Sequence, residues 1–292
     1  MTTSPSSPRA FVVGWPIGHS RSPLIHGHWL ARHRLAGSYE KIAVPPEEID
    51  SFLVSLADRG FVGGNVTVPH KQAAFRLAAE RDPVAEATGA VNTLWIEGGR
   101  LCGANTDGPG FLADLDAGSP GWDRLGGTAV VLGAGGAASA VAWGLASRGL
   151  RVHLVNRTVE RAETLARRLG GEVTAHPWSD LDRLLPDARV LVNTTTLGMT
   201  GKDPLGLDPA PLPADAVVAD IVYVPLETGL LAAARARGLE TVDGLGMLLH
   251  QAVPGFERWF GVRPTVTPEL RAIVLADIGA DRPKSGSETT AR

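Results

Sequence analysis

Cysteine is almost missing from this chain: Cys102 is the only one in 292 residues. That excludes an internal disulfide and zinc sites that need paired thiolates. A chain without disulfides suits a reducing compartment, so a cytoplasmic location is the expectation. Tyrosine occurs only twice, and aromatic residues make up 5% of the chain. A basic field is also lacking. The net charge is −3, which offers no attraction for nucleic acid or an anionic membrane. Residues 1–8 have neither a basic start nor an apolar run, so no secretory signal is expected. One uncharged run, residues 128–147, has the 20 residues a membrane span needs. Its glycine cluster and small side chains read instead as a buried strand, a tight loop and a buried helix.

The remaining composition is that of a turn-rich globular protein, 44% hydrophobic and 20% charged, with 35 Gly and 21 Pro. The length suggests two domains. Up to residue 107 the pattern alternates strand and helix. Strands are predicted at 11–14, 39–44 and 64–68. A helix is predicted over 24–35, with Ser22 as N-cap and Pro23 at its first position. Further helices are predicted from Glu47 and over 71–80, and a hairpin over 91–96 and 100–102 around Glu97-Gly98-Gly99. A Gly- and Pro-rich linker follows at 118–127. Beyond it six apolar strands, at 129–132, 152–155, 173–175, 190–192, 217–220 and 240–242, alternate with helices or loops and predict a parallel sheet. Helices over 247–260 and 268–276 close the chain. They are expected to return to the first domain, because the six-strand unit is complete at residue 243. Residues 1–8 and 280–292 are polar and predicted to be disordered.

Gly133-x-Gly135-x-x-Ala138 follows a strand and opens a helix, with a second strand about 20 residues on, as a dinucleotide site requires. Glycines there permit a tight turn and close approach of the backbone to a pyrophosphate, and the helix start adds unpaired N–H groups. The second strand ends in Asn156-Arg157-Thr158. A carboxylate at that point would select NAD and repel a 2′-phosphate. Arg157, with Arg161 one turn later, offers the opposite charge, so NADP(H) is the expected cofactor. The alternative is that Arg157 is a solvated surface residue and Thr158 only an N-cap.

Such a cofactor delivers a hydride, and the protein must then handle the accompanying proton. Lys71, in Gly64-Asn65-Val66-Thr67-Val68-Pro69-His70-Lys71, and Asp107, in Asn105-Thr106-Asp107, are the candidate pair. Their simpler roles would be a solvated first-turn lysine and a helix N-cap. Ser20 and Ser22, two apart at a helix entry, suit a carboxylate. Thr67, Asn65 and Asn92 are small polar residues at strand ends. His26 and His28 have the look of a metal pair but lack a third ligand motif, so no metal is expected. His70 is read as a packing residue that could tune Lys71.

The order of these motifs resembles the shikimate dehydrogenase family, over about residues 11–262. The resemblance rests on residues 18–23, 65–71, 89–93, 105–108, 133–137 and 156–158, on Asp220-x-x-Tyr223-x-Pro225, and on 243–251. It implies NADPH-dependent reduction of 3-dehydroshikimate to shikimate, a step toward aromatic amino acids. Ser20 and Ser22 would bind the substrate carboxylate. Thr67, Asn92 and Gln251 would bind hydroxyls or carboxylate. Lys71 and Asp107 would be the catalytic pair, with Tyr223 near the carboxylate and nicotinamide. Gly133, Ala134, Gly135, Gly136, Ala137 and Gly244 would contact the cofactor. Asn156, Arg157, Thr158 and Arg161 would clamp its adenosine phosphate.

The implied fold is α/β. A substrate domain, 1–107 with 244–292, faces a Rossmann-like dinucleotide domain, 108–243, in a monomer or homodimer. Departures from the family's pattern are Trp15, Ala104, His70 and the run Thr194-Thr195-Thr196. Retention of both serines favours shikimate over quinate. The alternatives are a quinate or aminoshikimate dehydrogenase of broader scope, and a non-catalytic NADPH-binding regulator.

Overall fold

The computed structural model describes residues 7–124 and 126–280, and among them lie two six-stranded sheets. The fold is α/β. The first sheet is mixed. Its strands are β1 (Arg9–Gly14), β2 (Ser38–Ala43), β3 (Gly63–Val66), β4 (Glu80–Arg81), β5 (Thr93–Glu97) and β6 (Arg100–Ala104), in the order β2-β1-β3-β5-β6-β4. β1 pairs in parallel with both β2 and β3, while β5 runs antiparallel to β3 and β6. Gly98 and Gly99 turn the β5–β6 hairpin, both with positive φ, the backbone that glycine adopts without strain.

The second sheet is wholly parallel. It comprises β7 (Thr128–Leu132), β8 (Arg151–Asn156), β9 (Val173–Pro177), β10 (Ala188–Asn193), β11 (Val217–Asp220) and β12 (Glu240–Asp243), ordered β12-β11-β10-β7-β8-β9. This is the doubly wound order of dinucleotide-binding sheets, with the switch between β7 and β10. Both faces are covered, so its strands read as unbroken Val, Ala and Leu runs.

Among the described residues twelve α-helices connect or flank the sheets: α1 (Ser22–His33), α2 (Ile49–Val54), α3 (Lys71–Leu77), α4 (Pro83–Thr88), α5 (Asp107–Gly118), α6 (Gly136–Ser147), α7 (Val159–Leu169), α8 (Leu181–Leu184), α9 (Gly229–Ala236), α10 (Gly244–His250), α11 (Val253–Phe260) and α12 (Pro268–Ala280). On one face of the second sheet α5, α6 and α7 bury Leu115, Val141 and Leu165 with Val131 and Leu154. The closing helices α11 and α12 share a core with β1 and α1, built on Trp29, Phe256, Leu270 and Val274. Trp259 of α11 donates its indole N–H to Leu94 O at 2.9 Å, fixing this helix to β5. Between the two sheets' helices, Arg168 of α7 donates to the last carbonyls of α4, reaching Thr88 O at 3.1 Å.

Several elements differ from the sequence expectation. Residues 247–260 form two helices, because Pro254 has no N–H to offer the His250 carbonyl one turn back. Arg21, not Ser22, occupies the cap of α1, and Ser22 is its first helical residue, with Pro23 second. Likewise Thr106 takes the cap of α5 and Asp107 its first turn. Thr158 does stand at the cap of α7, without a capping side-chain bond. Helix α3 stops at Leu77, followed by the unpredicted β4 and α4. Asp82 caps α4 by accepting from Ala85 N–H at 2.7 Å. The expected disorder reaches too far at both ends: Pro8 O accepts from Ser38 N–H at 3.0 Å, and α12 continues to Ala280. Residues 1–6 and 281–292 of those segments lie outside the described residues.

Candidate functional site

Strand β3 ends at Val66, and the turn 67–70 delivers Lys71 as the first residue of α3. Val91 N–H donates to Lys71 O at 3.0 Å, which ties this turn to the approach of β5. Asp107 arrives from the other side, just past β6. Lys71 Nζ and Asp107 Oδ2 are 2.5 Å apart. Their side chains are 23% and 11% exposed, so the pair is shielded from bulk water yet reachable by a ligand.

Asp107 is held by more than the ammonium. Asn92 Nδ2 donates to its Oδ1 at 2.8 Å, and Asn105 Oδ1 accepts its backbone N–H at 3.0 Å. Asn105 is fixed in turn by donating to Thr88 Oγ1 and Ala90 O, both at 3.1 Å. The Asn92 carbonyl oxygen accepts from Thr106 N–H at 2.8 Å and from the Thr93 hydroxyl at 3.1 Å. Asn92 Nδ2 also reaches Gln251 Oε1 at 3.5 Å. A buried polar network satisfied this completely has one geometry, because each member would cost free energy if left unpaired.

The structure thus brings Lys71, Asp107, Asn92 and Gln251 together. Ser20 and Ser22 form their own turn, hydroxyl to hydroxyl at 3.3 Å, with Ser22 N–H donating to Ser20 Oγ. Tyr39 links this turn to the centre. Its hydroxyl donates to Asn65 Oδ1 at 2.6 Å, and Asn65 Nδ2 donates to Asn92 O at 3.1 Å. Ser22 also hydrogen-bonds the Tyr39 hydroxyl, whose pKa burial pushes well above its ordinary value. Thr67 is half-buried beside Gly14, its N–H bonded to Val13 O at 2.9 Å. Tyr223 comes from the loop after β11 of the second sheet but packs on the core shared by α1 and α11. Burial raises its pKa, and Arg21 of the Ser20–Ser22 turn partly opposes that.

Sequence reasoning missed Tyr39, although a lone tyrosine opposite a string of small polar residues was visible. His26 stacks on it at 4.0 Å, wholly buried, and burial lowers the histidine's pKa to about 3. That neutral, stacked ring is a packing residue. His70 is buried with Nε2 2.8 Å from Val44 O, a structural bond pointing away from Lys71's role. A separate cavity of 560 Å³, lined by Thr93, Trp95, Thr106 and Arg258, contains neither Lys71 nor Asp107.

The glycine turn lies at the end of β7. Gly133 has φ +111°, and a side chain there would crowd Thr194 Oγ1. Gly135 and Gly136 face open space and stand at the start of α6, with Ala134 and Ala137 half-buried beside them. At the end of β8, Arg157, Thr158 and Arg161 are exposed. Asn156 differs: its amide donates to Thr158 O at 2.8 Å, so it shapes this loop. Gly244 opens α10 against the Ile221 carbonyl with no room for a side chain. The two halves of the site meet through α5. A Cβ on Gly108, the residue after Asp107, would lie 2.8 Å from Ala140 O, about one turn into α6.

Comparison with known proteins follows the same division. Residues 12–94 match the model of the shikimate dehydrogenase substrate binding domain. Residues 123–199 match that of shikimate / quinate 5-dehydrogenase, and 244–268 that of the shikimate 5′-dehydrogenase C-terminal domain. A shikimate dehydrogenase (NADP(+)) of Mesorhizobium japonicum is 61% identical over 271 residues, 92% of this chain and 96% of the relative. The chain belongs to the shikimate dehydrogenase family. A second shikimate dehydrogenase (NADP(+)), from Methylobacterium radiotolerans, is 62% identical over 94% of this chain and 99% of the relative. Among solved structures of shikimate and quinate dehydrogenases, the Thermus thermophilus shikimate 5-dehydrogenase with NADP(H) and shikimate has a TM-score of 0.80 at 38% identity, covering 92% of this chain and 99% of that one. The Corynebacterium glutamicum quinate dehydrogenase with NAD has a TM-score of 0.84 at 32% identity, covering 92% and 99%.

Proposed function

We propose that this protein catalyses the reversible, NADPH-dependent reduction of 3-dehydroshikimate to shikimate. The observation that carries the reading is the Lys71–Asp107 pair, locked by Asn92, with Gly108, the residue after Asp107, packed against the dinucleotide helix at Ala140. Curated relatives above 60% identity bearing that name support it. In this reading 1–107 with 244–292 is the substrate domain and 108–243 the dinucleotide domain.

When bound, NADP(H) exchanges a hydride with the substrate carbon. The residues present fit that cofactor: Gly135 and Gly136 open to space at a helix start and exposed arginines at the end of β8. Gly133, Gly135 and Gly136 would admit the pyrophosphate to the N–H groups of α6, with Ala134, Ala137 and Gly244 around it. Arg157, Arg161 and Thr158 would hold the 2′-phosphate. Lys71 and Asp107 meet the alcohol oxygen together: in the reduction the Lys71 ammonium gives a proton to the developing alkoxide and becomes a neutral amine, while Asp107 accepts the hydrogen bond of the new hydroxyl, and oxidation returns that proton to Lys71. Ser20, Ser22 and Tyr223 would bind the substrate carboxylate, with Thr67, Asn92 and Gln251 on the ring hydroxyls. A small-molecule substrate in a chain of low net charge calls for no nucleic-acid or membrane partner, and no helix among the described residues is long and apolar enough to cross a membrane.

The likeness to a quinate dehydrogenase bound to NAD gives a second reading, of broader substrate and cofactor scope. Steady-state rates on shikimate and quinate, each with NADP+ and NAD+, separate the two. Shikimate with NADP+ is expected to give the highest kcat/KM. A higher value for quinate, or for NAD+, overturns the first reading.

A further inference from the structure

Helix α5 carries Asp107, Gly110 and Asp114 at i, i+3 and i+7, which puts all three on one face. That face meets α10 and the residue just after it. A Cβ on Gly110 would lie 2.7 Å from Gln251 N, and one on Gly246 would overlap the Asp114 carboxyl. Asp114 is nearly buried, at 8% exposure. Its carboxyl abuts the first turn of α10 at Gly246, and the nearby Met247 N–H partly opposes the rise in its pKa. Asp243, the cap of α10, accepts Leu245 N–H at 3.0 Å. Asp243 thus caps the start of α10, and the Asp114 carboxyl packs against the same turn at Gly246. Asp243 is also bonded to Arg271 of α12 at 2.5 Å. Asp243 and Arg271 are the charged groups acting on Asp114, and burial with the Asp243 charge pushes its carboxyl up to about 7.

We propose that Asp114 is a positioning residue for substrate binding. By docking the start of α10 onto the face of α5 that bears Asp107, it sets where Gln251, at the far end of α10, stands relative to Asp107 and Asn92. The seven residues of α10 make a lever of roughly 10 Å, and the glycine contacts leave it no other resting place. The inference rests on the reading above that Gln251 and Asp107 touch substrate. The contact needs an acceptor at Asp114 rather than a charge, so asparagine is its close stand-in.

The test is steady-state kinetics of the full chain carrying Asp114→Ala, Asp114→Asn or Asp114→Glu, beside Gln251→Ala. Asp114→Ala is expected to raise the KM for shikimate about tenfold, with the NADP+ KM and kcat within about threefold, because misplacement of a binding group by an ångström is costly. Asp114→Asn is expected to stay within about threefold of the parent at pH 6–7. Should Asp114→Ala not fold, Asp114→Glu gives the same split, since its extra methylene has no room beside Gly246. The inference is overturned by an unchanged shikimate KM in the folded variants, by equal losses on both substrates, or by an asparagine variant as impaired as the alanine one. If Gln251→Ala raises the shikimate KM and the Asp114 variants do not, only this inference fails. If Gln251→Ala is also without effect, the assignment of Gln251 fails with it.

Discussion

Around β3 and β5 the polar side chains are already bonded to one another, whereas at the ends of β7 and β8 they stand open. Asn65, Asn92, Asn105, Asp107 and Lys71 each have side-chain partners at 2.5–3.1 Å. Arg157, Thr158 and Arg161 are exposed, and Gly135 and Gly136 face open space. The mixed sheet, with its short strands and hairpin, crowds side chains onto one another. The parallel sheet offers mainly backbone and a helix start. The first region is built before its ligand arrives and should govern turnover. In the proposed reading the second is completed by the dinucleotide and should govern cofactor affinity and choice.

The sharpest way to break this contrast is to remove Lys71. Lys71→Ala should lower kcat by about 10³-fold, the scale of a lost acid–base group, while shikimate binding measured by titration weakens far less. A turnover within threefold of the parent would place the chemistry elsewhere. Next is acid stability, where the buried first region should be the weak point. His26 keeps its neutral form in the fold with a pKa of about 3, against about 6.5 unfolded. Its folded pKa is depressed, so the unfolded chain binds the extra proton and stability falls as pH drops from about 6.5 toward 3. The loss should reach roughly 3 kcal/mol at pH 4. A His26→Leu protein should show a flatter dependence of Tm on pH between 4 and 6.5, and parallel curves would refute the assignment.

On the open side, Arg157→Ala should raise the NADPH KM about tenfold or more and leave the NADH KM nearly unchanged, as expected for loss of a charge-assisted phosphate contact. Equal effects on both cofactors would remove Arg157 from the 2′-phosphate. The smallest effect belongs to Tyr39→Phe. It removes the hydroxyl that joins Asn65 and Ser22, at about 1 kcal/mol per hydrogen bond, and should lower kcat/KM for shikimate several-fold with NADP+ KM unaltered. A change in NADP+ KM instead would show that the network does not end at the first sheet.

The parallel sheet and the glycine turn were legible because their physics is local: apolar runs, a required turn, a helix start. The meeting of Lys71 and Asp107, a 2.5 Å contact, was legible because ketone reduction needs a proton donor and the motif order resembles a known family. The break between α10 and α11 was not, since Leu245, Leu249, Val253 and Phe256 continue a helical stripe straight through it. Pro254 was the cue that outweighed that stripe. Helix α4 is too short for any periodicity to register, though its Asp82-Pro83 start and Gly89 stop are plain in retrospect. Ser22 was read as a cap because serine usually is one, whereas its hydroxyl is turned to Ser20 and Tyr39. Asp114 gave no signal in the sequence, because its contact with Gly246 spans more than a hundred residues.

The most direct test is a crystal structure of the ternary complex with shikimate and NADP+. It should put the alcohol oxygen to be oxidised within about 3 Å of both Lys71 Nζ and an Asp107 carboxyl oxygen, with the nicotinamide ring on the opposite side of the same carbon. Shikimate bound away from that pair, for example in the cavity beside Trp95 and Arg258, would contradict the account.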